Sequence, residues 1–599
     1  MRRPVRSRAI AAPLLLVALA SGPAAAAVFE VTDPSDDIPA PYGTLRWAIE
    51  ESNVNGEPDE IVIDPIAGST VHLVAPLPDL AEGWVTIGRP PQSSAPWPVH
   101  TRRGVVRVHG DGIIATALAV RSPGNRINGL QFAGFSGPEV VLVETWPGGA
   151  NIFDDCLFGG DGPDESNGGV GLRIVGATSN PGDVGTVTVL RSRFVANEGA
   201  ISLEGAPGGT LVTLRVSRSW IGTSADGGPG TGNLFAVTAT FGTVELVGNR
   251  LSGPGDGIDL GPGTDGSRVA GNEIGLSDPA GAACAGFYGP AVRVGGAVTV
   301  IGNRIRCSGI GVAVTLEGAR ARVTSNVIGG GAGDGMLEDG VRFAAAPGVK
   351  IDRNRISGSG GAGIARDPAS PGPTDQAPEV LCNRAWSNAG GALDLGSPVP
   401  SPILGTATPI EVDGTTDPPL TGWVEIFGDE QDQARLFLGA VEPSADGKFR
   451  QLIPVVDLRV RPAADGTNHA ISFDRSLLGF HTATSFDPGL GGTSDPSVPL
   501  AADNQGLAFD VVRGEVANLG PDPAGGTFLG DLVCLAAAVP PGGPEVVDPD
   551  VPLPGSAFFY LARRRSGPDL KGTYDPAQCA DVAGRAFRGP RRPGNGDCL

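Results

Sequence analysis

Six short strings recur through the middle of the chain: VGNRLSG around Asn249, AGNEIGL around Asn272, IGNRIRC around Asn303, TSNVIGG around Asn326, DRNRISG around Asn354 and LCNRAWS around Asn383. Their asparagines are 23, 31, 23, 28 and 29 residues apart. A weaker register runs backwards through Ser219, Ser192, Asp155 and Leu130, at gaps of 27, 37 and 25 below Ser219. Many units continue through a Gly-rich turn into a second short strand, as in DGIDL, GVAVTL and DGVRF. A unit this short and glycine-rich cannot enclose a core of its own. It becomes stable when successive units stack, so that their strands pair in parallel and their inward Val, Ile, Leu and Phe merge into one dry core. An asparagine at a fixed turn can stack on the asparagine of the next coil. Its amide then satisfies both the turn backbone and its neighbour, and Asn tolerates the left-handed conformation such turns need. Variable spacing fits the same picture, because insertions leave a solenoid as loops. The competing reading is a β-sandwich containing chance N-x-I strings.

Composition agrees. Gly and Pro make up 147 of 599 residues, which approaches low-complexity disorder, but 40% hydrophobic content supplies a core. Charged residues at 18% are too few for coiled coils or helical bundles, so the chain is expected to be all-β. The formal net charge of −21 repels phosphate backbones and argues against nucleic acid as a partner. Residues 1–27 combine Arg2, Arg3, Arg6 and Arg8 with a short apolar run and an alanine-rich cleavage site. They read as a secretory signal, and no later stretch is long and apolar enough to span a bilayer. The protein is therefore expected to be secreted or held at the cell surface.

The segments VFEVTDPSDD, YGTLRWAIEESNVNGEPDEIVID and VHLVAPLPDL follow the signal. Together with the asparagine repeat they resemble the right-handed parallel β-helix repeat family of exported bacterial proteins. There an F-x-V-T strand leads into an S/T-L-R-x-A-I helix and then the first coil. Here the helix motif is Thr44-Leu45-Arg46-Trp47-Ala48-Ile49, without the cysteine that precedes it in one variant of the family. Thr44 is a suitable N-cap, and Leu45, Ala48, Ile49 and Ser52 fall on one face of a helix able to plug the open solenoid end. The resemblance covers residues 28–400 and implies a fold more than a function. At a mean gap near 28, the repeat region gives roughly 12 coils, each adding about 4.8 Å. Beyond SPVPSPILG the pattern alternates in period two. Residues 401–492 read as an Ig-like sandwich and 493–599 as a fibronectin type III-like module.

Seven cysteines suit an oxidising compartment. Cys284 and Cys307 are 23 residues apart, which is the shortest repeat spacing, so they lie on neighbouring coils and are expected to bond if the loop SDPAGAACAGFYG folds back. Cys156 and Cys382, many coils apart, are expected to be lone buried thiols. Among Cys534, Cys579 and Cys598, a Cys534–Cys598 pair is favoured.

Chemistry is sparse. The paired carboxylates inside the solenoid are Asp154 and Asp155, in IFDDCLF, which resembles a fragment of the Asp-Asp-Cys string of polygalacturonases. The companion Gly-His-Gly is impossible, because the five histidines are His72, His100, His109, His469 and His481. A turn pair at the ladder position is the simpler reading. Asp256, Asp259 and Asp265, or Asp334, Glu338 and Asp339, could supply Ca²⁺ ligands but read better as solvated turn residues. No other cofactor is indicated. The sequence favours a non-catalytic protein that binds extracellular polysaccharide or a surface partner. The alternative is a polysaccharide lyase or glycoside hydrolase acting on a polyuronate-type glycan in a groove of the helix.

Overall fold

The computed structural model describes residues 26–394, with breaks at 64–69, 89–105, 163, 178–182, 206–210, 223–231, 276–283, 285, 331–334, 345 and 371–378. From 403 to 592 it describes the strands and a few connecting turns. The expected secretory signal lies outside the described residues except at its end, where Ala27 already opens the first strand, Ala27–Val31.

Residues 27–394 wind into a right-handed parallel β-helix. Three parallel sheets of 13, 12 and 11 strands run its length, each coil contributing one strand to each sheet. The first sheet runs from Ala27–Val31 to Glu379–Leu381, the second from Thr70–His72 to Arg384–Trp386, and the third from Leu118–Val120 to Leu393–Asp394. Strand–crossover–strand connections within a parallel sheet are right-handed in nearly all proteins, because right-twisted strands close only that way. The strand numbers agree with the roughly 12 coils expected from the repeat.

The N-x-I signature has a direct structural cause. Asn occupies the corner between the first and second sheets, and the following apolar residue faces inward on the second. In register, that inward column reads Phe132, Phe158, Phe194, Ile221, Leu251, Ile274, Ile305, Ile328 and Ile356. All are almost completely buried. Phe158 and Phe194 stack nearly parallel, with centroids 4.5 Å apart. Each such side chain stabilises by about 1.5–3 kcal/mol through burial.

The helix α1, Leu45–Asn55, packs against the strands Ala27–Val31 and Asp59–Ile63 at the start of the first sheet. Thr44 Oγ1 accepts from the Trp47 N–H at 3.2 Å, and Gly56 ends the helix in a left-handed conformation at φ 67°. Leu45, Ala48, Ile49 and Ser52 are buried against the first coils. Arg46, a charged residue the apolar-face argument passes over, is buried too. Its guanidinium clamps Asp36 and donates to the carbonyls of Ala75 and Pro76. A buried arginine with four of its five N–H donors bonded fixes the angle at which the helix sits.

Beyond the solenoid the strands are mostly antiparallel. Ile403–Thr408, Glu411–Thr415 and Lys448–Leu452 form one sheet, and Leu507–Glu515 pairs with Leu532–Val539 and Phe558–Ser566 in another. The expected partition at 492/493 does not follow the pairing. His469–Phe473 pairs with Val546–Asp548, and Gly479–Ser485 pairs with Val498–Pro499. Period-two alternation shows which residues face inward but not which distant strand comes alongside. No helix among the described residues is long and apolar enough to cross a membrane.

Candidate functional site

The corner between the first and second sheets is the most ordered feature of the solenoid. Each asparagine Oδ1 from Asn272 to Asn383 accepts twice from the asparagine one coil earlier: from its backbone N–H at 2.8–3.1 Å and from its Nδ2 at 2.9–3.0 Å. The Nδ2 groups of Asn249 to Asn383 also donate to carbonyls of the first sheet, such as Val269 for Asn303 and Val300 for Asn326. Below Asn249 the same slot holds Ser219, Ser192 and Cys156. The Ser219 N–H donates to Asn249 Oδ1, Ser192 to Ser219 Oγ and Cys156 to Ser192 Oγ. The rung is thus Cys156, not Asp155. Asp155 belongs to the left-handed position just before each rung, a column in which Gly129, Arg191, Arg218, Gly248, Gly271, Gly302, Ser325, Arg353 and Cys382 all have φ between 48° and 65°. Two aspartates in a row hid the one-residue offset. Cys156 is a free, fully buried thiol, and burial raises its pKa to about 12, so it is inert as a nucleophile.

Asp154 and Asp155 sit in different environments. Asp154 is buried at the end of its strand and held by Arg126 and Arg191, whose guanidiniums donate to it at 2.6–2.9 Å. Asp155 is exposed in its turn. Asp256 is exposed, and four of the other candidate carboxylates have charged or polar neighbours. Asp265 accepts from the Ala297 N–H, while Glu338 and Asp339 are ion-paired with Arg342. Asp259 faces Arg293, and burial raises its pKa. Asp334 lies outside the described residues.

Cys284 and Cys307 are disulfide-bonded across neighbouring coils, with Cα atoms 5.5 Å apart. Cys382 is not a lone thiol; it and Cys534 are each disulfide-bonded. With Cys156 free and Cys284 joined to Cys307, the partner of Cys382 is one of Cys534, Cys579 and Cys598. Counting coils inside the solenoid overlooked bonds to the chain beyond it. Cys579 and Cys598 lie outside the described residues, and with them the Cys534–Cys598 pairing.

The outer surface beside the upper corner is basic although the chain carries a net −21. On the first sheet the outward row runs Arg268, Thr299, Arg322 and Lys350, with Glu245 and Glu379 at the register positions before and after it. On the second it runs Glu273, Arg304, Val327, Arg355 and Arg384. Arg304, Arg322, Arg353 and Arg355 are exposed. Arg353 sits on the corner itself, beside Asp352. Arg384 stacks over Trp386, 5.8 Å from its ring centroid. Coils about 4.8 Å apart place these cations in two short ladders on either side of the corner.

A second group, at the N-terminal end of the second sheet, went unnoticed in the sequence. His72 and His109 are in register on adjacent coils, and Asp111 follows in the turn after His109. Asp111 Oδ1 lies 2.8 Å from His72 Nδ1 and 2.5 Å from His109 Nδ1. Hydrogen bonds from His109 and then His72 hold the Asp111 carboxyl below its ordinary pKa. The signal was the shared phase of TVHL and VRVHG, but the two histidines are 37 residues apart, outside the common repeat spacing.

No protein-family model matches the sequence, and no curated protein is significantly similar to it. Solved structures with similar arrangements include the A-module of a mannuronan C-5 epimerase from Azotobacter vinelandii. It is 13% identical, with 59% of this chain and 92% of that one covered and a TM-score of 0.33. The Dettilon tailspike protein is 11% identical, over 87% of this chain and 86% of that one, with a TM-score of 0.28. A Geobacillus virus E2 protein, ORF18, is also 11% identical, over 76% and 72%, with a TM-score of 0.26. Fold and surface together define a β-helix protein with a helix at its N-terminal end and a basic corner.

Proposed function

We propose that the protein binds an anionic extracellular polysaccharide, of the polyuronate type, along the basic corner of the solenoid. One observation supports this reading: Arg304, Arg322, Lys350, Arg353, Arg355 and Arg384 crowd a few coils of a chain whose net charge is −21. Regular coil spacing gives a repeating row of cations, the complement of a polymer with a regular row of carboxylates. Arginine presents a planar fork suited to carboxylate. Trp386 offers the kind of aromatic face on which a sugar ring can lie. Binding at an exposed basic surface weakens with salt as the Debye length shrinks. Hydrolysis or elimination is not part of the proposal, because Asp154 is engaged by two arginines.

Affinity electrophoresis of the whole chain in gels containing polygalacturonate, alginate or a neutral glucan tests it. Retardation is expected in the polyuronate gels alone, reduced by high salt and by the double variant R355E/R384E. Equal mobility in every gel, or retardation that the double variant leaves unchanged, would contradict it.

A further inference from the structure

We propose that His72, His109 and Asp111 form a binding site for a first-row transition-metal dication of the zinc class, independent of the basic corner. The three ligand atoms lie within 4.8 Å of one another. Parallel pairing sets Thr70–His72 beside Val106–His109 so that the two rings emerge side by side, their centroids 5.5 Å apart. The turn Gly110-Asp111-Gly112 then bends the carboxylate back, with Asp111 at φ 51° and Gly112 at φ 69°.

The hydrogen bonds fix what each nitrogen can offer. His109 Nε2 lies 2.9 Å from the carbonyl oxygen of Asp164. A carbonyl only accepts, so Nε2 carries the hydrogen, and the Nδ1 of a neutral ring is a lone pair. The Asp111 N–H, 3.2 Å away, points at that lone pair as a donor. Yet Asp111 Oδ1 stands only 2.5 Å from the same nitrogen. The nitrogen and the carboxylate oxygen are close enough to share one bound cation. His72 Nδ1 meets both oxygens of the same carboxylate, at 2.8 and 3.0 Å. Two imidazoles thus converge on one carboxylate.

The surroundings match those of a metal ligand. A ligating histidine ordinarily donates its other N–H to a carbonyl or carboxylate, as His109 does to Asp164. Gly134 makes room for that ring, since a Cβ there would come within 2.6 Å of His109 Nε2. Imidazole nitrogens select Zn²⁺, Co²⁺ or their neighbours over Ca²⁺, which takes oxygen. At metal–ligand distances of about 2.0–2.2 Å a tetrahedral ion keeps its ligand atoms about 3.3–3.6 Å apart. Asp111 would therefore draw back from the rings by about 0.5–1.1 Å. The side chains of His72 and Asp111 are 61% and 45% exposed, which leaves them free to do so and leaves an open side for water or an exogenous ligand.

The test is titration of the chelator-stripped whole chain with ZnCl₂ by calorimetry, and with CoCl₂ by visible absorption, on wild type, H72A and D111N. His72 is exposed, so H72A keeps the apo fold, and D111N keeps the turn because Asn accepts a left-handed backbone. Wild type is expected to bind one Zn²⁺, to give a Co²⁺ spectrum and to melt at a higher temperature with zinc. Both variants are expected to bind at least about tenfold more weakly and to lose the thermal shift. No binding by wild type would overturn the proposal. Zinc binding of unchanged affinity in both variants would place the ion elsewhere and would overturn it too.

Discussion

The corner between the first and second sheets solves one problem in two ways. From Asn249 to Asn383 the coils are linked by amides, and each from Asn249 to Asn354 bonds to both the coil before and the coil after. From Leu130 to Ser219 the same slot holds Leu130, Cys156, Ser192 and Ser219. The serine hydroxyls there accept one N–H and donate locally, as Ser192 does to Leu190 and Ser219 to Ser217. The lower coils are coupled by other means. The rings of Phe132, Phe158 and Phe194 stack inside. Outside, ion pairs cross between coils: Arg126–Asp154–Arg191, Glu139–Arg173–Glu204 and Arg193–Asp161. A coil's backbone geometry therefore fixes the need for axial coupling but not the chemistry that meets it. Ion pairs also cross between coils in the asparagine stretch, Arg250–Glu273 and Asp259–Arg293, and the basic rows lie further along it.

Substitutions in the two halves should separate these modes. The largest effect is expected at Asn303. N303A strips the acceptor from two buried donors, the Asn272 N–H and Nδ2, and should cost about 3 kcal/mol, read as a lower urea midpoint. A cost no larger than that of a lower-corner serine would break the contrast. D154A comes next. It leaves Arg126 and Arg191 without their shared carboxylate, but both are about a third exposed and can be rehydrated, so the cost should be about 2 kcal/mol. S192A leaves only the Cys156 N–H without its acceptor, for about 1 kcal/mol. G302A, at φ 64° with open space around the added methyl, should also cost about 1 kcal/mol, by backbone conformation alone.

The smallest expected effect is a pH dependence of the lower coils. Hydrogen bonding to Arg173 lowers the pKa of Glu204. Its stabilisation is present above the ordinary carboxylate pKa of about 4.3 and is lost as pH falls through the lowered value. With Glu204 43% exposed, the loss should be only a few tenths of a kcal/mol, detectable as an acid-side slope in midpoint that E204Q removes.

Much of the solenoid was legible because its rules are local. Asn249 to Asn383 share a turn type, and the next apolar residue is always inward, so spacing alone aligns them. Thr44 and the 23-residue interval between Cys284 and Cys307 were readable for the same reason. What was missed depends on neighbours far along the chain. Two further asparagine sets occupy other corners, Asn125 with Asn151, and Asn167 with Asn197 and Asn233. Their gaps of 26, 30 and 36 residues span loops of different lengths, so no common string surrounds them. The burial of Arg46 required knowing that Asp36 and the Ala75 and Pro76 carbonyls would surround it. The basic rows appear only when residues 23 to 31 apart are set in register.

Native-state hydrogen exchange, followed on peptides from both halves of the corner, tests the central claim most directly. The backbone N–H groups of Asn272, Asn303 and Asn326 donate into the amide ladder, and those of Cys156 and Ser192 into serine hydroxyls. The account predicts that the asparagine N–H groups exchange at least about tenfold more slowly, a difference of about 1.4 kcal/mol in local opening. Equal rates in the two halves, or faster exchange at the asparagines, would contradict it.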